Sequence, residues 1–144
     1  MTLPNEAGPD PAEITAWITT TYPETVVGEA MGATFFSLDA RHWPNFATIV
    51  TTDEHDMGSP SNLARPGVFR LNIGVGKATF ERLVGGQANP DFAALDTFIP
   101  HPVYARQRWI AILNPSRATF DESVKPLIAE AYDRLVRPRR RRAS

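Results

Sequence analysis

The first apolar pattern along the chain has the spacing of a helix. Its members fall at positions i, i+3, i+4 and i+8 and share one helical face: Ile14, Trp17, Ile18 and Tyr22. Asp10 is suited to cap this helix and Pro11 to its first position, and Pro23 stops the pattern. The sequence therefore predicts a first helix between these residues.

Four stretches rich in β-branched and aromatic residues follow, each bounded by turn-forming residues. They are TVVGEAM, ATFFSL, FATIVTT and VFRLNIGV, with a long polar loop at residues 53–67 before the last. In VFRLNIGV the apolar side chains share one face at a period of two, which leaves Arg70 and Asn72 on the other. The segment RQRWIAIL, ended by an Asn-Pro pair, predicts a fifth strand.

Two further amphipathic patterns predict helices. Residues 77–84 carry apolar side chains on one helical side and end at a Gly-Gly pair typical of a C-cap. Residues 124–135 are apolar at helical spacing, and Pro126 places the start of the regular part near residues 121–124. The order α-β-β-β-β-α-β-α predicts an α+β fold, with a single antiparallel sheet of about five strands and helices packed on one face.

The sequence predicts a single domain at residues 10–136. Residues 1–9 predict a flexible N-terminal lead, and residues 137–144 predict an Arg-rich disordered tail. The chain has no cysteine, which excludes disulfides, thiol catalysis and cysteine-ligated metals. No motif predicts a cofactor.

Charge is unevenly distributed along the chain. Residues 1–136 hold ten basic and sixteen acidic side chains, so the predicted domain is acidic. Beyond it, a basic run predicts at most weak nucleic-acid contact; its members are Arg139, Arg140, Arg141 and Arg142. The first residues lack the basic start and apolar run of a secretory signal, and no later run is long enough to span a membrane. We therefore expect a cytoplasmic protein without membrane contact.

The segment GVGK at residues 74–77 contains the glycines and lysine of a phosphate-binding loop but lacks the spacing of that motif. A P-loop places four residues between its two glycines and a hydroxyl after its lysine, whereas Lys77 is followed by alanine. The glycines instead predict a sharp corner between a strand and a helix.

Carboxylates and a histidine cluster in the polar loop. Asp53, Glu54, His55 and Asp56 are consecutive, and carboxylate and imidazole groups are common ligands of divalent cations. Because consecutive side chains project in different directions, a solvated turn is the alternative interpretation.

A second polar group precedes the last predicted strand. His101 and Tyr104, with Arg106 and Arg108 at the start of that strand, have the chemistry to line a cleft for an anionic ligand. In the alternative interpretation, His101 bonds to backbone in a buried loop and Tyr104 belongs to the core. No nucleophile with a positioned base is evident, so no catalytic residue is predicted.

The sheet face opposite the helices is the predicted binding surface. Arg70 and Asn72 are expected to point outward from it, together with Thr48, Arg106 and Arg108 of neighbouring strands. The alternative interpretation is a polar face that is merely solvated.

Three segments resemble the MmcQ/YjbR family of small bacterial proteins: LNIGVGKATFERL, HPVYARQRWIAIL and PLIAEAYDRLV. The segments RPGVFRLNIGV and HPVY also resemble an uncharacterised actinobacterial family, which we interpret as a divergent relative. The resemblance covers roughly residues 11–136, and it implies a CyaY-like α+β fold and, for some members, a proposed role in DNA binding. Where that family tends to carry lysines this chain has Asn72, Arg106 and Arg108, which weakens the implied DNA binding.

The sequence leaves three functional hypotheses. The first is a non-catalytic binding or interaction domain that uses the open polar sheet face for a small anionic ligand or a protein partner. The alternative is a nucleic-acid-binding accessory protein, and the second alternative is a small enzyme that depends on a metal or on histidine. The candidate ligand-binding residues are Arg70, Asn72, His55, Asp56, His101, Tyr104, Arg106 and Arg108.

Overall fold

The computed structural model describes residues 8–56 and 58–143, the last five of them as backbone only. Its centre is an antiparallel sheet in the order β1-β2-β3-β4-β6-β5. The strands are β1 (Val26–Ala30), β2 (Ala33–Ser37), β3 (Asn45–Val50), β4 (Arg70–Gly74), β5 (Phe98–Pro100) and β6 (Trp109–Leu113). The predicted α+β class is confirmed, and β5 is an additional sixth strand that the sequence pattern did not indicate.

The helices are α1 (Pro11–Thr21), α2 (Lys77–Val84) and a last helix in three contiguous parts. These parts are α3 (Arg117–Thr119), a π-helical turn (Phe120–Val124) and α4 (Lys125–Ala143), and we call the whole the C-terminal helix. The predictions of α1 and α2 are confirmed, including the cap by Asp10, whose carboxylate accepts a hydrogen bond from the Glu13 amide at 2.8 Å. In the described part of the chain, no helix is both long and apolar enough to cross a membrane.

The C-terminal helix begins earlier than predicted because a π turn accommodates its proline. The amide of Lys125 donates to the carbonyl of Phe120, five residues back. Pro126 follows directly, and a proline ring within a helix crowds the carbonyl four residues before it. The wider turn relieves this crowding. The helix can therefore start at Arg117, where the Ser116 hydroxyl caps its first turn.

The two predicted end segments lie partly outside the described residues. Helical backbone continues through Ala143, past residue 137, where the sequence predicts that the Arg-rich tail begins; the disorder of this tail stays a prediction. Residues 1–7 of the predicted lead and residue 144 lie outside the described residues. So do the side chains of the basic run, Arg139, Arg140, Arg141 and Arg142.

Helices cover one face of the sheet, as predicted. Neighbouring strands place Ala47, Ile73 and Ile110 side by side on that face, and all three are fully buried. Over them, α1 meets the C-terminal helix where Tyr22 stacks on Tyr132 with ring centroids 4.1 Å apart. Burial of each large apolar side chain in such a layer contributes about 1.5–3 kcal/mol, so this face is the main core.

The opposite face is covered rather than open, which contradicts the prediction. A second apolar cluster lies on it, consisting of Leu63, Ile99, Ala111 and Leu113. Leu63 belongs to the loop at residues 53–67, and Phe92 from the segment before β5 also packs against the cluster. These two connections shield the middle of the sheet, and all five residues of β4 are buried.

Candidate functional site

Arg70 is the centre of a buried polar network on the second face of the sheet. Its side chain is 2% exposed, and Asp56 of the 53–67 loop accepts two hydrogen bonds from it, at 2.8 and 2.9 Å. Ser61 and Asn72 each accept a further bond from the same guanidinium at 3.0 Å. The prediction that Arg70 points outward on an open face is therefore wrong.

Asn72 is also buried, with 1% of its surface exposed. Its side-chain oxygen accepts from Arg70, and its side-chain nitrogen donates to the Thr48 hydroxyl at 3.0 Å. The predicted alignment of these three side chains on one sheet face is thus confirmed, but the loop lies over them. A ligand would have to displace Asp56 to reach the guanidinium.

The network holds the 53–67 loop against the sheet. Asp53 accepts a hydrogen bond from the Leu63 amide at 2.9 Å, and Arg65 donates at 2.9 Å to carbonyls of Ser61 and Ala93. A buried ion pair stabilises a fold only when its geometry is good and the remaining polar groups are bonded. The bonds around Arg70 meet that condition, so we interpret the network as a structural clamp.

His101 is buried beside this clamp, at 6% exposed. Its Nδ1 accepts hydrogen bonds from the amides of Val103 and Tyr104, both at 3.0 Å, so the imidazole is neutral and carries its proton on Nε2. Burial lowers the pKa of His101 to about 4; the positive charge of Arg70 contributes to this shift and the charge of Asp56 opposes it. Near neutral pH, His101 therefore offers no positive charge to an anion.

The other residues predicted near His101 do not form a cleft with it. Tyr104 is 53% exposed, not core, and its ring lies 4.9 Å from that of His101. Ala105–Gln107 form a 3-10 turn and Arg108 has a left-handed backbone, with φ of 66°. Arg106 and Arg108 thus precede β6 instead of lying on it, which corrects the prediction that they extend the sheet face.

The carboxylate and histidine cluster of the 53–67 loop does not converge on one point. His55 is exposed, whereas the Asp56 carboxylate is bonded to Arg70. Among residues 8–56 and 58–143, no group of three or more potential metal-ligating side chains lies together. The solvated turn therefore describes His55 better than a cation site does.

The corner at residues 74–77 is bonded to a carboxylate of the chain itself. Glu130 of the C-terminal helix accepts hydrogen bonds from the Gly76 amide and the Thr79 hydroxyl, both at 2.7 Å. Because Gly76 is the N-cap of α2, Glu130 satisfies the positive end of that helix. Arg134, one turn further on, donates to the two carbonyls that precede Gly76, at 3.2 and 2.9 Å. This corner is a structural joint between the sheet and two helices.

A groove of about 460 Å³ lies between the segment at residues 38–44 and the C-terminal helix. We call it the Trp43 groove, and it is lined by Leu38, Asp39, Arg41, Trp43, Pro44, Arg134, Leu135 and Pro138. Trp43 is 71% exposed. Tryptophan side chains are highly buried on average in folded proteins. An indole this exposed in a groove therefore indicates a surface for contact with another molecule.

Both walls of the Trp43 groove carry a guanidinium group. Arg41 is 84% exposed and bonds to Asp39 through Nε and Nη2 at 3.0 and 2.9 Å, which leaves Nη1 outside that pair. Arg134 uses Nη1 for the corner at residues 74–77, which leaves Nε and Nη2 outside those bonds. The charged residues that line the groove are two arginines and one aspartate, so its lining has a net positive formal charge. Residues 1–136 as a whole have a net negative one.

None of the residues predicted from the sequence to bind a ligand lines this groove. One signal was present: the short connection LDARHWPN between two strands contains a tryptophan where turn-forming residues are expected. No local signal marks Arg134, because its position opposite Trp43 depends on how the C-terminal helix crosses the sheet.

Comparison with known proteins gives one match. No curated protein matches the chain, and neither does any solved structure. A model of a family of unknown function, DUF6194, matches residues 9–144. This range includes all six strands, the Arg70 network and both walls of the Trp43 groove. The chain therefore belongs to the DUF6194 family.

Proposed function

We propose that the protein is a non-catalytic binding domain that holds a small anionic ligand in the Trp43 groove. The observation that supports this proposal is the presence of an exposed indole and two guanidinium groups in one groove. The indole provides an apolar surface, and guanidinium groups form charge-assisted hydrogen bonds with anions. The class of function is the one expected from the sequence, but the proposed surface is the groove instead of the sheet face.

One wall of the groove is held in place before any ligand arrives. Arg134 is anchored through its Nη1, and Glu130, one turn earlier on the same helix, is bonded to the start of α2. A side chain that is already ordered loses little conformational freedom on binding, which favours affinity. Arg41, on the other wall, is 84% exposed and is oriented by its pair with Asp39, to which it donates through Nε and Nη2.

The charge distribution favours an anion at this place. Residues 1–136 carry sixteen acidic and ten basic side chains, so this part of the chain has a net negative charge. A positive groove on such a chain raises the local concentration of an anionic ligand there.

Isothermal titration of the full chain with inorganic pyrophosphate tests the proposal. We expect saturable binding, weakened about tenfold or more in the Arg41→Ala variant because a charge-assisted hydrogen bond is lost. Arg82→Ala, which removes an exposed arginine of α2 outside the groove, is the matched control. Equal affinities of wild type and Arg41→Ala would contradict the proposal.

A second candidate, a nucleic-acid-binding accessory protein, is favoured by the continuity of the C-terminal helix. Pro138 lines the groove, and the four arginines at residues 139–142 follow it on the same helical backbone. Arginines that continue from a groove suit an extended chain of phosphates. The resemblance to MmcQ/YjbR proteins agrees with this candidate and stays a prediction.

Retention on immobilised DNA over a range of salt concentrations separates the two candidates. If deletion of residues 137–144 abolishes retention while Trp43→Ala does not change it, the arginines act alone as a nonspecific anchor. If both changes weaken retention, the groove takes part and the second candidate gains support.

The proposal includes a cytoplasmic location. A chain of this length without a single cysteine suits a reducing compartment. Fractionation of cells that produce the untagged chain tests this location, and recovery outside the cytoplasmic fraction would contradict it.

A further inference from the structure

We infer that the ligand of the Trp43 groove is a nucleotide, with its base stacked on Trp43 and its phosphate between Arg41 and Arg134. This inference rests on the proposed function, because it names the ligand class of the same groove. It is carried by three features of the groove: an exposed indole, a guanidinium group on each of the two walls, and the volume of the groove.

The indole of Trp43 is available for stacking. Trp17 makes edge contacts with Tyr22 and Phe120 in the core, whereas in residues 8–56 and 58–143 no aromatic ring contacts Trp43. Its neighbours in the groove include Leu38, Pro44 and Leu135, which are apolar but offer no planar face. An exposed flat ring in apolar surroundings matches a flat aromatic ligand, and every nucleobase has such a face.

The two guanidinium groups favour phosphate over carboxylate. A carboxylate has two oxygens in one plane, which one arginine can satisfy by a bidentate pair. A phosphate group has three terminal oxygens, so it accepts hydrogen bonds from two directions at once. Arg41 lies on the 38–44 wall of the groove and Arg134 on the wall formed by the C-terminal helix, and each has N–H groups outside the bonds that it makes to described residues.

The size of the groove suits one nucleotide unit. Its volume of about 460 Å³ falls in the range of small-molecule sites. A base joined through a sugar to a phosphate is either a free nucleotide or one unit of a single strand. The stacking contact is the same for both sources, and a phosphodiester within a strand, with two terminal oxygens instead of three, can still accept from two arginines, so the experiment includes an arm for each.

The test compares three ligands by isothermal titration of the full chain: AMP, ribose 5-phosphate and adenosine. We expect AMP to bind about tenfold or more tightly than ribose 5-phosphate, because it adds a stacked base. Adenosine, which lacks the phosphate, should also bind more weakly than AMP. In Trp43→Ala the affinity for AMP should fall to that for ribose 5-phosphate, and Trp43→Phe should restore part of the difference. Since Trp43 is exposed, these changes leave the core intact.

The outcomes separate this inference from the proposed function. If ribose 5-phosphate binds in an Arg41-dependent manner and AMP binds no more tightly, the nucleotide inference is overturned while the proposed function stands. If neither phosphate ester nor pyrophosphate binds, both fail. A comparison of thymidine monophosphate with a short single-stranded oligothymidylate identifies the source. If the oligomer binds more tightly and its binding is sensitive to salt, the natural ligand is a single strand. If the two bind equally, the natural ligand is the free nucleotide. Both results support the base and phosphate contacts.

Discussion

The buried histidine makes the stability of this fold depend on pH. Burial, with a contribution from the charge of Arg70, lowers the pKa of His101 from 6.5 to about 4 in the folded chain. As pH falls between these values, the unfolded chain takes up a proton at His101 and the folded chain does not. The stabilising contribution of the neutral imidazole is therefore complete above pH 6.5 and is lost as pH falls towards 4.

The size of the effect follows from the two pKa values. Linkage between proton binding and unfolding gives a loss of about 2.5 kcal/mol in the free energy of unfolding between about pH 7 and about pH 4.5. Substitution His101→Asn removes the titrating group, while Oδ1 of asparagine stands where Nδ1 accepted the two amides. The variant keeps those hydrogen bonds and lacks only the pH dependence of the imidazole.

Denaturant titrations at a series of pH values measure this difference. Carboxylates also titrate in this range, but they are the same in both proteins and cancel when the two curves are subtracted. We expect the stability advantage of the wild type over His101→Asn to shrink by about 2.5 kcal/mol from pH 7 to 4.5. His55→Asn replaces an exposed histidine and is the matched control. Parallel curves for wild type and His101→Asn would refute the reasoning.

Three further substitutions test single contacts. Arg70→Met leaves the Asp56 carboxylate buried without its partner and should lower the free energy of unfolding by about 3–5 kcal/mol; a loss under about 1 kcal/mol would contradict the burial of the pair. Glu130→Gln removes the negative charge that the C-terminal helix places at the start of α2, and it should lower the free energy of unfolding by about 1–2 kcal/mol. Its control is Glu122→Gln, at an exposed position of the C-terminal helix, which should change the free energy of unfolding by less than about 0.5 kcal/mol. Asn114→Ala removes two hydrogen bonds to backbone at a residue with φ of 42° and should cost about 2–3 kcal/mol in the same denaturant assay.

The elements that could be predicted from the sequence are those whose signals are local. α1 is capped by Asp10 and α2 ends at Gly85, so both helices could be predicted from local sequence without knowledge of the rest of the fold. β5 is only Phe98–Pro100, and it is a strand because it pairs with β6. A three-residue segment that ends in proline carries no strand pattern of its own, so its assignment depended on tertiary structure.

The candidate site was predicted less well because burial of polar groups depends on distant segments. Alternation along β4 correctly placed Arg70 and Asn72 on the face away from the helices. It could not show that the loop carrying Asp56 folds over that face, since the loop has no regular pattern. The sequence predicted a strand over RQRWIAIL, but Ala105–Gln107 form a 3-10 turn and Arg108 has a left-handed backbone, so β6 begins only at Trp109.

The position of β4 determines which backbone amides are most protected from solvent. All five of its residues are buried, and it pairs with β3 on one side and β6 on the other. Amides of this kind exchange their hydrogen for deuterium only when the whole molecule unfolds. β1 has a single neighbouring strand and lies at the edge of the sheet, so its amides exchange through local opening. We therefore expect the sheet to open from β1 inward, with the slowest exchange in the strand that Arg70 joins to the loop.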